Sequence, residues 1–198
     1  AWQGATALEV PLRKVWPEGA QGASRAWLRA VRTDTHLYIL AQWEDASDDS
    51  ASHKSWVWDA GKNAYVEGPD REDMFAVAFE HSGPFNPDML AGVESVWDAW
   101  QWKASRTNPQ GHAMDRSHRY SRQQPQGKAK EFTARDGGKV WIARPEDAGD
   151  TVEKKQPAPK EKQGDRVPLY LPGTPTGSAA DVRAKGAWSG GQWTVEFE

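Results

Sequence analysis

The stretch Val96-Trp97-Asp98-Ala99-Trp100-Gln101-Trp102-Lys103-Ala104 decides how this chain is read. Successive side chains of a β-strand point to opposite faces, so a strand over 96–104 puts Trp100 and Trp102 on one face and Trp97 with Lys103 on the other. It holds three of the twelve tryptophans in the 198-residue chain. An indole is a large flat apolar surface with one N–H donor. Such a concentration marks either a thick aromatic core or a surface for a flat ligand, a sugar ring or a porphyrin.

The same period-two pattern recurs on both sides of this block, whereas long apolar stripes of helical period do not. Residues 26–32 and 37–43 are two such runs joined by Thr33-Asp34-Thr35-His36, which predicts a hairpin. Residues 74–80 alternate Phe75, Val77 and Phe79 against smaller neighbours. Further strands are predicted at 139–143, 182–188 and 192–197, the last two joined by Ser189-Gly190-Gly191 as a second hairpin. The pattern predicts an all-β sandwich with long loops and little helix.

Two polar connections interrupt the strands, 45–54 and 145–177. The second is rich in Pro, Lys, Glu and Gly, with Gln156-Pro157-Ala158-Pro159-Lys160-Glu161-Lys162 at its centre. It reads as a solvated loop over the sandwich edge. The strand pattern after it is too short to fold alone, so residues 1–198 are expected to form a single domain. The pattern stops in mid-strand at Thr194-Val195-Glu196-Phe197-Glu198, the expectation for a domain truncated at its C-terminus.

Composition removes several classes of function. The formal charge is −3 and the pI about 6.0, with no basic run to track a phosphate backbone, which argues against nucleic-acid binding. There is no cysteine, so disulfides, thiolate zinc sites, iron–sulfur clusters and thioether-linked haem are all excluded. Any metal must be held by His, Met, Lys, Asp or Glu. No stretch approaches the roughly 18 apolar residues of a membrane span. The N-terminus Ala1-Trp2-Gln3-Gly4 carries no signal peptide, as a mature exported protein would not.

Catalytic motifs are missing too. Ser117 and Ser121 lack a Gly-x-Ser-x-Gly elbow, and there is neither a phosphate-cradling Gly-x-x-x-x-Gly-Lys nor a dinucleotide fingerprint. The acids of Glu44-Asp45 and Asp70-Arg71-Glu72-Asp73 read as solvated loop charges. The expectation is a binding or electron-transfer domain rather than an enzyme.

Four strings, in order, carry a family resemblance: Trp56-Val57-Trp58-Asp59-Ala60; Gly68-Pro69-Asp70-Arg71-Glu72-Asp73; Asp98-Ala99-Trp100-Gln101-Trp102-Lys103-Ala104-Ser105-Arg106-Thr107-Asn108-Pro109; and Ala184-Lys185-Gly186-Ala187-Trp188 with Gly191-Gln192-Trp193. Their order and spacing resemble the haem-binding domain related to the ethylbenzene dehydrogenase γ subunit. This is the cytochrome c-552/DMSO reductase-like haem-binding family, which includes the haem subunits of dimethylsulfide dehydrogenase and similar molybdenum enzymes. The resemblance spans nearly the whole chain.

It implies a sandwich similar to family 9 carbohydrate-binding modules, holding one non-covalent haem b for electron transfer in the periplasm. The implied partner is a redox protein, either molybdenum oxidoreductase subunits or a cytochrome. In the γ subunit a methionine and a lysine hold the iron. The methionine lies in the loop before the aromatic strand, and Met89 occupies the matching loop, Phe85-Asn86-Pro87-Asp88-Met89-Leu90-Ala91-Gly92. The lysine lies on a strand beyond the segment matching 192–197, where this sequence ends; Lys185 aligns ahead of it and does not take its role. Trp100 and Trp102 would then wall the porphyrin.

Read from the residues alone, these positions stay open. A thioether is a soft ligand that raises the potential of haem iron, yet a lone loop methionine is more often a gap-filler. Trp100 and Trp102 are equally well sandwich core. For the second axial ligand the histidine candidates are His112, His118 and His81; His112 and His118 stand six apart, on one face of a strand, and His81 directly follows the 74–80 strand. The alternative function is a metal-free module that binds a carbohydrate or other small ligand on the same sandwich.

Overall fold

The computed structural model describes residues 2–12 and 23–198, so Ala1 of the N-terminal reading lies outside the described residues. Two five-stranded antiparallel sheets face each other. The first is ordered β1 (Leu8–Pro11), β2 (Arg25–Arg32), β3 (Leu37–Glu44), β15 (Gln192–Phe197), β14 (Ala184–Ser189). The second is ordered β6 (Met74–Ser82), β7 (Ser95–Lys103), β8 (Met114–Ser121), β10 (Lys139–Ala143), β9 (Lys130–Thr133). Among the described residues, helix is confined to three short 3₁₀ turns. The all-β sandwich expected from the sequence is the architecture found.

Both predicted hairpins form, each for a local reason. In the first, the Thr33 hydroxyl accepts the backbone N–H groups of Thr35 and His36 at 3.3 and 3.0 Å, closing the turn between β2 and β3. In the second, Ser189 pairs with Gln192, leaving a two-residue loop whose Gly190 and Gly191 have φ of 59° and 80°. Positive φ at both central positions is the type I′ requirement, which glycine meets without steric cost.

The core between the sheets is aromatic. Trp102 is fully buried, edge-on to Trp193 at 4.9 Å and to Trp43 at 6.1 Å. Phe75, Val77, Phe79 and Trp100 pack on the same cluster from the second sheet, and Ile39, Ala41, Val195 and Phe197 from the first. Three indole N–H groups of this cluster find acceptors: Trp102 donates to Asn108 Oδ1 at 3.0 Å, Trp193 to Asp73 Oδ2 at 2.9 Å, and Trp188 to the Asp45 carbonyl at 3.0 Å. Paired N–H groups let large aromatics be buried without an unmet donor.

Two connections depart from expectation. Residues 145–177 contain β11 (Glu153–Lys155), β12 (Arg166–Pro168) and β13 (Tyr170–Pro172), not a wholly solvated loop. β11 pairs with β13, while β12 joins β4 (Ser55–Asp59) and β5 (Ala64–Glu67) in a small three-stranded sheet. Val152 and Leu169 are each 1 % exposed and pin the segment down, while most of its other residues are exposed. Glu72, read as a solvated charge, is buried. It accepts the backbone N–H of Ser105 at 2.6 Å and of Arg106 at 2.9 Å and is ion-paired to the Arg106 side chain, so it ties the residues before β6 to the turn after β7.

Candidate functional site

The second sheet has two faces with different chemistry. Directly paired residues share a face, so the β6–β7–β8 register sorts them. Phe75, Val77, Phe79, Trp100 and Trp102 face the core. Ala76, Ala78, Ala99, Gln101, Trp97 and Lys103 face outward, and from β8 so do Met114, Arg116, His118 and Tyr120.

The loop carrying Met89 folds over one end of this outer face. Leu90 packs on Trp97, Tyr120 and Ile142, Phe85 stacks on Trp97 at 5.0 Å, and Asp88 receives the Arg135 guanidinium at 2.9 Å. The Asp88 carboxylate also accepts the Leu90 N–H at 3.0 Å, which shapes the turn. Met89 itself is 41 % exposed, its sulfur 4.0 Å from Arg144 Nη2. At the other end, the segment bearing Glu153 folds down on Lys103. Between these covers the sheet is floored by alanine methyls, with Ala76 and Ala78 exposed.

All three methionines of the chain meet cations here. Arg106 approaches Met74 Sδ at 3.7 Å, Arg144 approaches Met89, and Met114 Sδ is contacted by Arg116 Nη2 at 3.0 Å and by the Lys103 ammonium. Arg116 is ion-paired to Glu146 at 2.9 Å; Arg144 has no salt bridge among the described residues. Burial, with Arg144 and Arg116 nearby, lowers His118 to about 4, so its imidazole is neutral at pH 7. Burial lowers Lys103 to about 8 against the opposing pull of Glu153, 2.8 Å away.

The sequence candidates therefore separate. Met89 and His118 share the outer face, with Arg144 beside both. Trp100 and Trp102 do not join them: their apolar surface is used between the sheets, on the side of the sheet away from Met89, because the strand alternation that pairs them with Val77 and Phe75 turns them inward. His112 precedes β8, where it bridges to Arg183 and its Nδ1 lies 2.9 Å from the Gln110 carbonyl; it does not lie on one strand with His118. His81 is exposed at the bulge between Glu80 and Ser82. Sequence reading missed Met114, Arg116 and Arg144, whose convergence depends on the β8–β10 pairing. Among the described residues no group of three or more His, Asp or Glu is placed to hold a metal ion, so a metal here would rest on a mixed donor set.

No helix among the described residues is long and apolar enough to cross a membrane. Comparison with curated proteins and with solved structures returned no significant match. A family model described as ethylbenzene dehydrogenase matches residues 1–198. The chain thus belongs to the ethylbenzene dehydrogenase family.

Proposed function

We propose that this chain is a non-catalytic, haem-binding electron-transfer subunit of an exported oxidoreductase complex, with one haem b on the outer face of the second sheet. The carrying observation is that every thioether in the chain meets a cation on that face, Met74 and Met114 toward one end and Met89 at the other. The donor set suits the group. A soft thioether at Met89 is half-exposed, a neutral imidazole at His118 has its lone pair available at pH 7, and Ala76 and Ala78 are exposed on the same face. Arg144, without a carboxylate partner among the described residues, is placed to neutralise a propionate.

Bound haem would supply the one-electron chemistry. The chain's own residues do the rest. Met89 would hold the iron from the loop, His118 is the candidate second ligand, and burial, with Arg144 and Arg116 nearby, keeps its imidazole unprotonated at pH 7. The partner is a redox protein, molybdenum oxidoreductase subunits or a cytochrome, in the periplasm.

Titration of the purified chain with hemin tests the proposal. A Soret band with sharp α and β bands on reduction is expected, with one equivalent bound. Met89→Ala should lower the midpoint potential or release the haem, because a weaker or absent ligand replaces sulfur. A chain that stays colourless with excess hemin refutes haem binding, and an unchanged spectrum and potential in Met89→Ala removes Met89 from the site.

A further inference from the structure

Charge is unevenly spread along this chain. The formal total is −3, yet residues 116–146, which carry most of β8 and all of β9 and β10, hold eight Lys and Arg against three acids. Those three acids are already paired: Glu131 with Lys139 at 3.1 Å, Asp136 with Arg122 at 2.6 Å and Glu146 with Arg116 at 2.9 Å. Arg135 reaches Asp88 outside the segment. Arg119, Lys128, Lys130 and Arg144 are left without an ion pair among the described residues.

A cavity of about 550 Å³, the size of a small-molecule site, opens among these cations. Arg119 and Ala143 are direct partners across β8 and β10, so they share a face, the one opposite His118 and the haem proposal. On one side the Pro145 carbonyl accepts the Ser117 N–H at 3.1 Å, which folds the chain after β10 against β8; on the other stands the turn bearing Pro125 and Lys128. Arg144 also lines the space, but its guanidinium is turned to Met89 on the opposite face. Lys130 lies over the Phe132 ring at 5.0 Å and is not part of the lining.

The lining selects the sign of the guest. Its one carboxylate, Glu146, is taken by Arg116, which leaves the Arg119 guanidinium and the Lys128 ammonium facing the space without a counter-charge among the described residues. The acids that surround Asp115, namely Asp98, Asp147 and Asp181, gather toward the start of β8. Asp115 is four residues from Arg119, about 13 Å along a strand, which exceeds the screening length of about 8–10 Å at ordinary ionic strength. A guanidinium fork fits a carboxylate or phosphate through two hydrogen bonds. Ala143, Pro125 and Pro145 bring apolar side chains to the same lining, so the guest carries carbon as well as charge.

We infer that this cavity binds a small organic anion, its carboxylate or phosphate group held by Arg119 and Lys128 and its carbon body against Ala143 and the two prolines.

Titration of the hemin-free chain at low ionic strength, followed by NMR, tests the inference with benzoate and phenyl phosphate as probes of the two head groups. Benzamide and benzylamine are the neutral and cationic controls. At least one of the two anions should bind saturably, and both controls at least about tenfold more weakly, the loss expected when charge-assisted hydrogen bonds go unmade. Arg119→Gln should weaken the bound anion about tenfold and Lys128→Gln less, and because both side chains are exposed neither change threatens the fold. Added salt should weaken binding further. Failure of both anions to saturate overturns the inference, as do equal binding of benzamide, binding unchanged in the double variant Arg119→Gln, Lys128→Gln, and inorganic phosphate bound as tightly as phenyl phosphate. None of these readings depends on hemin, so they stand or fall apart from the haem proposal.

Discussion

Gly186 stands where no side chain has room. A Cβ there would lie 2.8 Å from Trp102 Cε2 and 2.9 Å from Val195 Cγ2, inside a fully packed core. Its backbone N–H donates to Asn108 Oδ1 at 2.7 Å, the same oxygen that receives the Trp102 indole, so glycine, asparagine and tryptophan lock together. Gly186→Ala should therefore cost about 1–3 kcal/mol through overpacking, read as a lower urea midpoint at unchanged slope. Asp115 makes a second point at this scale. Burial first, then Asp98 and Asp147, raises its carboxyl to about 7. A folded value above the ordinary 3.8 means that ionisation opposes folding as pH rises from about 4 to 7. Asp115→Asn should stabilise the fold at pH 8, by about 1–2 kcal/mol after discounting for half-burial, and far less at pH 4. Equal effects at the two pH values would show that its charge is not the cause. Neither role is legible in the sequence, because Gly186 and Asp115 take their meaning from neighbours remote along the chain.

At the scale of elements, legibility follows the faces. β2, β3, β6, β7 and β15 each turn one apolar face to the common core, and that alternation stands in the sequence. β8 escaped notice because its outward residues are Met114, Arg116 and His118 and its inward ones Asp115 and Ser117, so no apolar period marks it. The β11–β13 segment escaped for another reason. It is anchored by single buried residues, Val152, Glu153 and Leu169, set in a run whose overall composition is that of a loop. Glu72 shows how such elements are joined. Three donors converge on its carboxylate from the turn after β7, and no water is needed to satisfy them. Glu72→Ala leaves the Arg106 charge nine-tenths buried beside one remaining partner, Glu153, and frees two backbone N–H groups. It should cost about 3–5 kcal/mol in thermal or urea unfolding, the range for breaking one side of a buried ion pair. A loss below about 1 kcal/mol would mean the carboxylate is not the tie.

Across the whole molecule, one sheet gives its two faces different contents: Trp100 and Trp102 fill the inner side, while thioethers and guanidinium groups lie on the outer. Met89 was legible as a candidate from its loop, but its company was not, since Arg144 and His118 reach it only through pairing of β8 with β10. The two buried imidazoles give this division a measurable consequence. His53 and His118 are each lowered from 6.5 to about 4, chiefly by burial and then by surrounding cations. A depressed base is neutral in the fold while the unfolded chain takes up protons, so stability present above pH 6.5 is lost as pH falls toward 4, by at most about 3 kcal/mol per imidazole. Asp115 and Asp73, both raised by burial, act in the opposite sense over part of this range, so the histidine contribution must be isolated by substitution. The double variant His53→Gln, His118→Gln should flatten the decline in Tm between pH 6.5 and 4 relative to the parent. Hemin supplies the second arm. If His118 ligates iron, its imidazole stays unprotonated in the fold below pH 4 while the unfolded chain still takes up the proton, so the acid limb of the loaded protein should continue below pH 4 where that of the unloaded chain levels off, and His118→Gln should remove this difference. Identical limbs with and without bound hemin would take His118 off the iron while leaving Met89 to be judged on its own potential shift.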